Sequence, residues 1–178
     1  MKKIVFIILI IAAIFGIYYY FNNGEDKIVE IDKIEAYDYH LYKDSSKLYK
    51  SYFNELKEVL ENNYNEEEYA KVVSKLFVAD FYDLKNKKSN TDIGGIPFIH
   101  PDTVEDFKKS ARKTIYKFVG SSKELPEVSG VTVGDVTLEE GTYTVKVEIS
   151  YKKDLDYPKN AELRLVLLDK KLYIIEIK

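Results

Sequence analysis

The hydrophobic period of this chain changes once, near Pro126, and that change limits the folds open to it. Before Pro126 apolar residues recur every three or four positions; after it they alternate. The plainest alternation is TYTVKVEISY, residues 142 to 151. Tyr143, Val145, Val147, Ile149 and Tyr151 fall on one side, and Thr142, Thr144, Lys146, Glu148 and Ser150 on the other. Val131, Val133, Val136 and Leu138 precede it, with Glu140-Gly141 as the turn. Leu163, Leu165 and Leu167 form a third strand. Asp169-Lys170 turns into a fourth, where Tyr173, Ile175 and Ile177 are in phase. The connector 152–160 carries Pro158. Strands with one apolar face predict an antiparallel sheet covered on one side.

The cover is predicted upstream. Leu48, Tyr52, Phe53, Leu56, Val59 and Leu60 form a helical stripe behind a cap at Asp44, Ser45 or Ser46, and Asn62-Asn63 ends it. Asn65 caps a second helix, with Glu68 three residues on and Glu66 and Glu67 suited to its positive end. Its stripe is Tyr69, Val72, Val73, Leu76, Phe77 and Phe81. Asp102 is predicted to cap a third helix with Val104, Phe107, Ala111, Ile115 and Phe118 on its buried face, stopped by Gly120-Ser121-Ser122. The fold class is therefore α+β, with about three helices on a curved four-stranded antiparallel sheet.

The N-terminus sets the expected location. From Ile4 to Phe21 there is no charged residue, and a bilayer core of about 30 Å needs roughly 20 apolar helical residues. Lys2 and Lys3 precede the run, so residues 1–3 are expected in the cytoplasm and the rest outside. Tyr18, Tyr19 and Tyr20 suit the membrane interface. A cleaved secretory signal is the alternative, but the run ends in Tyr-Tyr-Tyr-Phe rather than in small residues. The expected organisation is a transmembrane helix at 4–21, a stalk at 22–44 and an extracytoplasmic domain at 45–178 of a single-pass cell-membrane protein. Tyr37, Tyr39 and Leu41 alternate within that stalk and predict a short extended piece.

Composition removes several functions. There is no cysteine, hence no disulfide, thiol chemistry or thiolate metal site. The net charge is −3, more negative still without Lys2 and Lys3, and no clustered positive face appears. Nucleic acid is therefore not an expected partner. No dinucleotide loop, P-loop or nucleophile elbow is present. The expected contacts are membrane lipid, through the N-terminal helix, and protein partners or self-association.

Helices followed by an antiparallel sheet behind an anchor resemble membrane-anchored nuclear-transport-factor-2-like domains, whose α+β fold is a cone of the cystatin-like kind. FVADFYDL (Phe77 to Leu84) followed by NTDIGG (Asn90 to Gly95) is also similar to single-pass proteins of Gram-positive anaerobic bacteria. The resemblance covers roughly residues 40 to 178 and is modest in specificity, since the fold hosts enzymes, binders and scaffolds alike. For anchored members it implies assembly roles, as in conjugation or sporulation channels. Some soluble members do acid–base chemistry in the cone with an Asp, His or Tyr. Carried to this chain, the cavity candidates are Asp80, Tyr82 and His100.

Each candidate has a structural reading beside the chemical one. Asp80, next to Ala79 and Phe81, is expected to be buried, and a buried Asp commonly accepts from backbone N–H groups. Asp80, Asp83 and Asp92 offer oxygens for a cation, but the alternating ligand pattern of a calcium loop is missing, and no metal or cofactor is expected. His100, between Ile99 and Pro101, reads as a helix-start residue. Tyr37, Tyr39, Tyr42, Tyr49 and Tyr52 cluster early and suit either a contact surface or packing in a chain without tryptophan. Phe81 to Pro101 reads as a shaped connector, in which IPFI (residues 96–99) runs briefly extended after Gly94-Gly95, and as the best place for a rim contact. The expected function is a non-enzymatic extracytoplasmic interaction domain, an envelope assembly or secretion-channel scaffold. The alternative is a small-ligand-binding or acid–base enzyme domain using the cone cavity.

Overall fold

The computed structural model describes residues 29–62 and 65–178. The four predicted strands form one antiparallel meander in the order β3-β4-β5-β6: β3 is Val128–Glu139, β4 Thr142–Tyr151, β5 Asn160–Leu168 and β6 Lys171–Ile177. A separate hairpin, β1 (Glu30–Ile34) and β2 (Tyr39–Tyr42), precedes the helices. The helices are α1 (Lys47–Glu61), α2 (Glu66–Phe81) and α3 (Val104–Lys113). The predicted membrane span, Ile4 to Phe21, lies outside the described residues. Among the described residues no helix is long and apolar enough to cross a membrane.

Local chemistry accounts for most boundaries. Ser46 caps α1 by accepting from Tyr49 N–H at 3.1 Å, and Asn65 caps α2 by accepting from Glu68 N–H at 2.7 Å. Asn62 ends α1 with its own amide, which donates to Glu58 O. Two-residue turns close the outer sheet hairpins. Glu140-Gly141 and Asp169-Lys170 all have positive φ, as tight hairpins with the right twist require.

The core lies between α2 and the inner face of the sheet. Tyr69, Val72, Val73, Leu76 and Phe77 meet Val145, Val147, Leu163, Leu165 and Ile174, all 3% exposed or less. α2 is buried on most of its circumference, because α1 covers its other side.

Five expectations need correction. The stretch read as a stalk is part of the domain from Glu30 on, since Ile34, Tyr37, Tyr39 and Leu41 are buried in the core. β6 turns Leu172 and Ile174 inward, not Tyr173 and Ile175. Leu165 pairs with Ile174 while Arg164 pairs with Glu176, so Ile175 is an extra bulge residue and Ile177 returns to the inner phase opposite Leu163. Asp102 does not cap the third helix. That helix has Thr103 at its N-cap and no side-chain cap; the His100 ring instead caps the 3-10 turn ahead of it, Pro101–Thr103, its Nδ1 accepting from Asp102 N–H at 3.3 Å. α3 stops at Lys113, and Ile115–Phe118 is a 3-10 turn, which rotates Tyr116 rather than Ile115 fully into the core. Residues 96–98 form a 3-10 turn where an extended run was expected, and Ile99 alone bridges Ile174 in parallel.

Candidate functional site

Asp80 sits in the last turn of α2, at the back of a cavity of about 620 Å³. Three elements supply the other walls: β2 with Tyr39, His40 and Tyr42, the start of α1 with Ser46 and Tyr49, and the loop from Asp83 to Pro97. The irregular stretch Phe81 to Pro101 is thus a wall of this cavity as well as a connector.

The Asp80 carboxylate is surrounded by donors. Oδ2 accepts from the Tyr39 hydroxyl at 2.6 Å and from Gly95 N–H at 2.7 Å, and Oδ1 accepts from Lys87 Nζ at 2.5 Å. Only 14% of the Asp80 side chain and 12% of the Lys87 side chain are exposed, so the pair is largely removed from water. Burial alone would lower the Lys87 pKa, but the adjacent carboxylate outweighs it and holds the ammonium above its ordinary value. Burial, and then the Asp80 charge, push Tyr39 and Tyr49 well above the usual phenol range.

The glycines make this arrangement possible. Gly95 has φ +72, and a Cβ there would meet the Phe77 ring, with Cε2 at 2.8 Å. A Cβ on Gly94 would lie 2.5 Å from Asp80 Oδ1. With hydrogen in both places the loop lies against α2, and Gly95 N–H reaches the carboxylate. Gly94 N–H donates to the Tyr116 hydroxyl at 3.0 Å, which donates onward to Phe81 O at 2.7 Å. Tyr116 had no signal in the sequence, because the break in α3 that aims it inward was not predicted.

Two other carboxylates of the cavity, Asp83 and Asp92, have partners of their own. Asp83 accepts from Asn86 Nδ2 at 2.7 Å and from Val128 N–H at 3.3 Å, and burial raises its pKa. Asp92 accepts from Lys88 N–H at 2.9 Å. Among the described residues no group of three or more His, Asp or Glu side chains is placed to hold a metal ion.

The three candidate residues do not converge. Asp80 lines the polar cavity, whereas Tyr82 lines a second, more apolar cavity on the far side of the loop. His100 lines neither; its backbone N–H donates to Ile174 O at 2.9 Å and its ring packs edge-on to Tyr173. Most of the early tyrosines are inside: Tyr37, Tyr39 and Tyr52 are buried, Tyr49 is half-buried and Tyr42 is exposed. No protein-family model, curated protein or solved structure matches the chain.

Proposed function

We propose that residues 30–178 are a non-enzymatic interaction domain, held at the outer face of the cell membrane by the apolar run 4–21, that binds a protein partner through the β1–β2 hairpin. The observation that carries this reading is the exposure of large apolar side chains at the open end of the hairpin. Val29 and Ile31 are 48% and 51% exposed on either side of Glu30, and Tyr42, which pairs with Glu30, is 37% exposed. Large apolar side chains left in water close together in the chain suit a contact surface. Chain reach supports a partner at the membrane surface: Val29 follows Phe21 by few enough residues to lie within ~28 Å of it. The cone-shaped, nuclear-transport-factor-2-like packing belongs to the same proposal and is supported by helices preceding an antiparallel meander. An envelope assembly or secretion channel is the class of machine such a tethered domain suits.

The acid–base alternative draws on Asp80 in its cavity. The three donors around that carboxylate favour a structural role, since a general base needs a lone pair directed at substrate.

The test is site-specific photocrosslinking in intact cells, with the photoreactive residue at Ile31 or at Glu148 on the outer sheet face. The proposal expects a discrete envelope-protein adduct from position 31 only, lost when Tyr42→Lys is added. Equal adducts from both positions, or none from position 31, would overturn it.

A further inference from the structure

Where α3 passes β6 the two do not close on each other. A cavity of about 420 Å³ opens between them, within the range of small-molecule sites. Both irregularities described above stand at its walls: Thr114, where α3 breaks, and Ile174-Ile175, where β6 bulges. The lining is mainly apolar, led by Phe107, Ile115 and Ile177.

One polar group inside is conspicuous. Tyr82 is 4% exposed and lines this cavity, and its hydroxyl makes no hydrogen bond to any described residue. The buried tyrosines 37, 39, 52 and 116 all donate to a carbonyl or carboxylate. The hydroxyl is not among the buried side-chain atoms of the described residues that lack a hydrogen bond, which are His40 Nδ1 and Ser74 Oγ, so it is open to the cavity and free to donate to an acceptor on a bound molecule. Charge at the mouth is mixed. Asp106, Glu176 and Lys178 stand there, and Glu176 is paired with Arg164 at 2.9 Å and with Lys178 at 3.3 Å. Burial pushes the Tyr82 phenol up to about 12, which keeps it a donor at neutral pH.

We propose that the α3–β6 cavity binds a small, uncharged, largely apolar molecule whose one hydrogen-bond acceptor takes the Tyr82 proton. This site is separate from the hairpin patch and does not depend on it.

Benzophenone is a suitable probe: two rings, one carbonyl acceptor, and insertion into neighbouring C–H bonds on irradiation. The full chain in lipid nanodiscs is labelled and digested, and adducts are mapped by mass spectrometry. The expected result is saturable labelling within 103–115 and 174–178. Ser110→Trp, an exposed position at the mouth, should reduce it by about tenfold, and Tyr82→Phe by about three- to tenfold. If Ser110→Trp melts early, Asp106→Trp fills the same mouth from the exposed side of α3. Labelling confined to the 4–21 run, or unchanged by either Trp, would overturn the site. Labelling unchanged in Tyr82→Phe would overturn the role of its hydroxyl.

Discussion

The Tyr52 hydroxyl accepts from Val131 N–H at 3.1 Å and donates to the carbonyl of the same residue at 3.3 Å. A side chain of α1 thereby satisfies both outward backbone groups of one residue on the β3 edge. The opposite edge has the same device: Tyr37 donates to Leu172 O at 2.9 Å and accepts from Leu172 N–H at 3.0 Å on β6. Exposed strand edges invite pairing with other chains. In a chain without cysteine, these hydroxyls tie helix and hairpin to the sheet.

Tyr52→Phe removes both bonds and leaves a buried N–H and C=O facing a ring edge. The expected loss is about 1–3 kcal/mol of unfolding free energy, read from urea titration by tyrosine fluorescence. A loss below the error of the titration would mean that water replaces the hydroxyl at this edge.

Gly95→Ala should be more damaging than its size suggests. The left-handed backbone costs about 1–2 kcal/mol for any L side chain, and the Phe77 ring stands where the new methyl would go. Thermal melts should show a clear drop for Gly95→Ala. Gly141→Ala should drop less: it also has positive φ but meets nothing within 4 Å.

Lys170 offers the converse. It is an exposed turn residue at φ 66. Lys170→Gly should stabilise the β5–β6 hairpin by about 0.5–1 kcal/mol, the relief of backbone strain less the greater freedom of the unfolded chain. An unchanged or lowered melting temperature would contradict this account of the turn.

Alkaline pH should unfold the protein cooperatively. Burial raises the phenol pKa of Tyr37, Tyr39, Tyr49, Tyr82 and Tyr116. Above about pH 10 the unfolded chain loses these protons while the folded chain keeps them. Stability from these groups is therefore complete below pH 10 and falls as pH rises through the folded values. Tyr82→Phe should leave stability at pH 7 equal or higher, since its hydroxyl has no partner among the described residues, and should flatten the alkaline loss. Urea midpoints from pH 7 to the alkaline limit provide the check.

Much of this architecture was legible in the residues. The alternation in β4 placed Tyr143, Val145, Val147 and Ile149 inward, as found, and Ser46 and Asn65 cap their helices because a short side-chain oxygen at that position meets a free N–H. What escaped was set by tertiary contacts. The bulge at Ile175 shifts the inward phase of β6 by one residue, and no local pattern announces it. Tyr37, Tyr39 and Leu41 do alternate, but their burial depends on partners such as Phe98 and Phe53 that are distant in sequence. Asp80 stood out for its apolar neighbours; Lys87 and Gly95 N–H, which make it a bracket, come from a loop whose path depends on the glycines.

Asp80 joins β2, α2 and the glycine loop through the Tyr39 hydroxyl, Lys87 Nζ and Gly95 N–H, and a structural role for it is the proposal. Urea unfolding of the full chain with Asp80→Asn tests it most directly. The substitution breaks a largely buried ion pair and turns an amide toward donors, so the account predicts a loss of about 3–5 kcal/mol. An Asp80→Asn protein as stable as the parent, or more stable, would contradict it, because active-site acids are commonly held at a cost to stability.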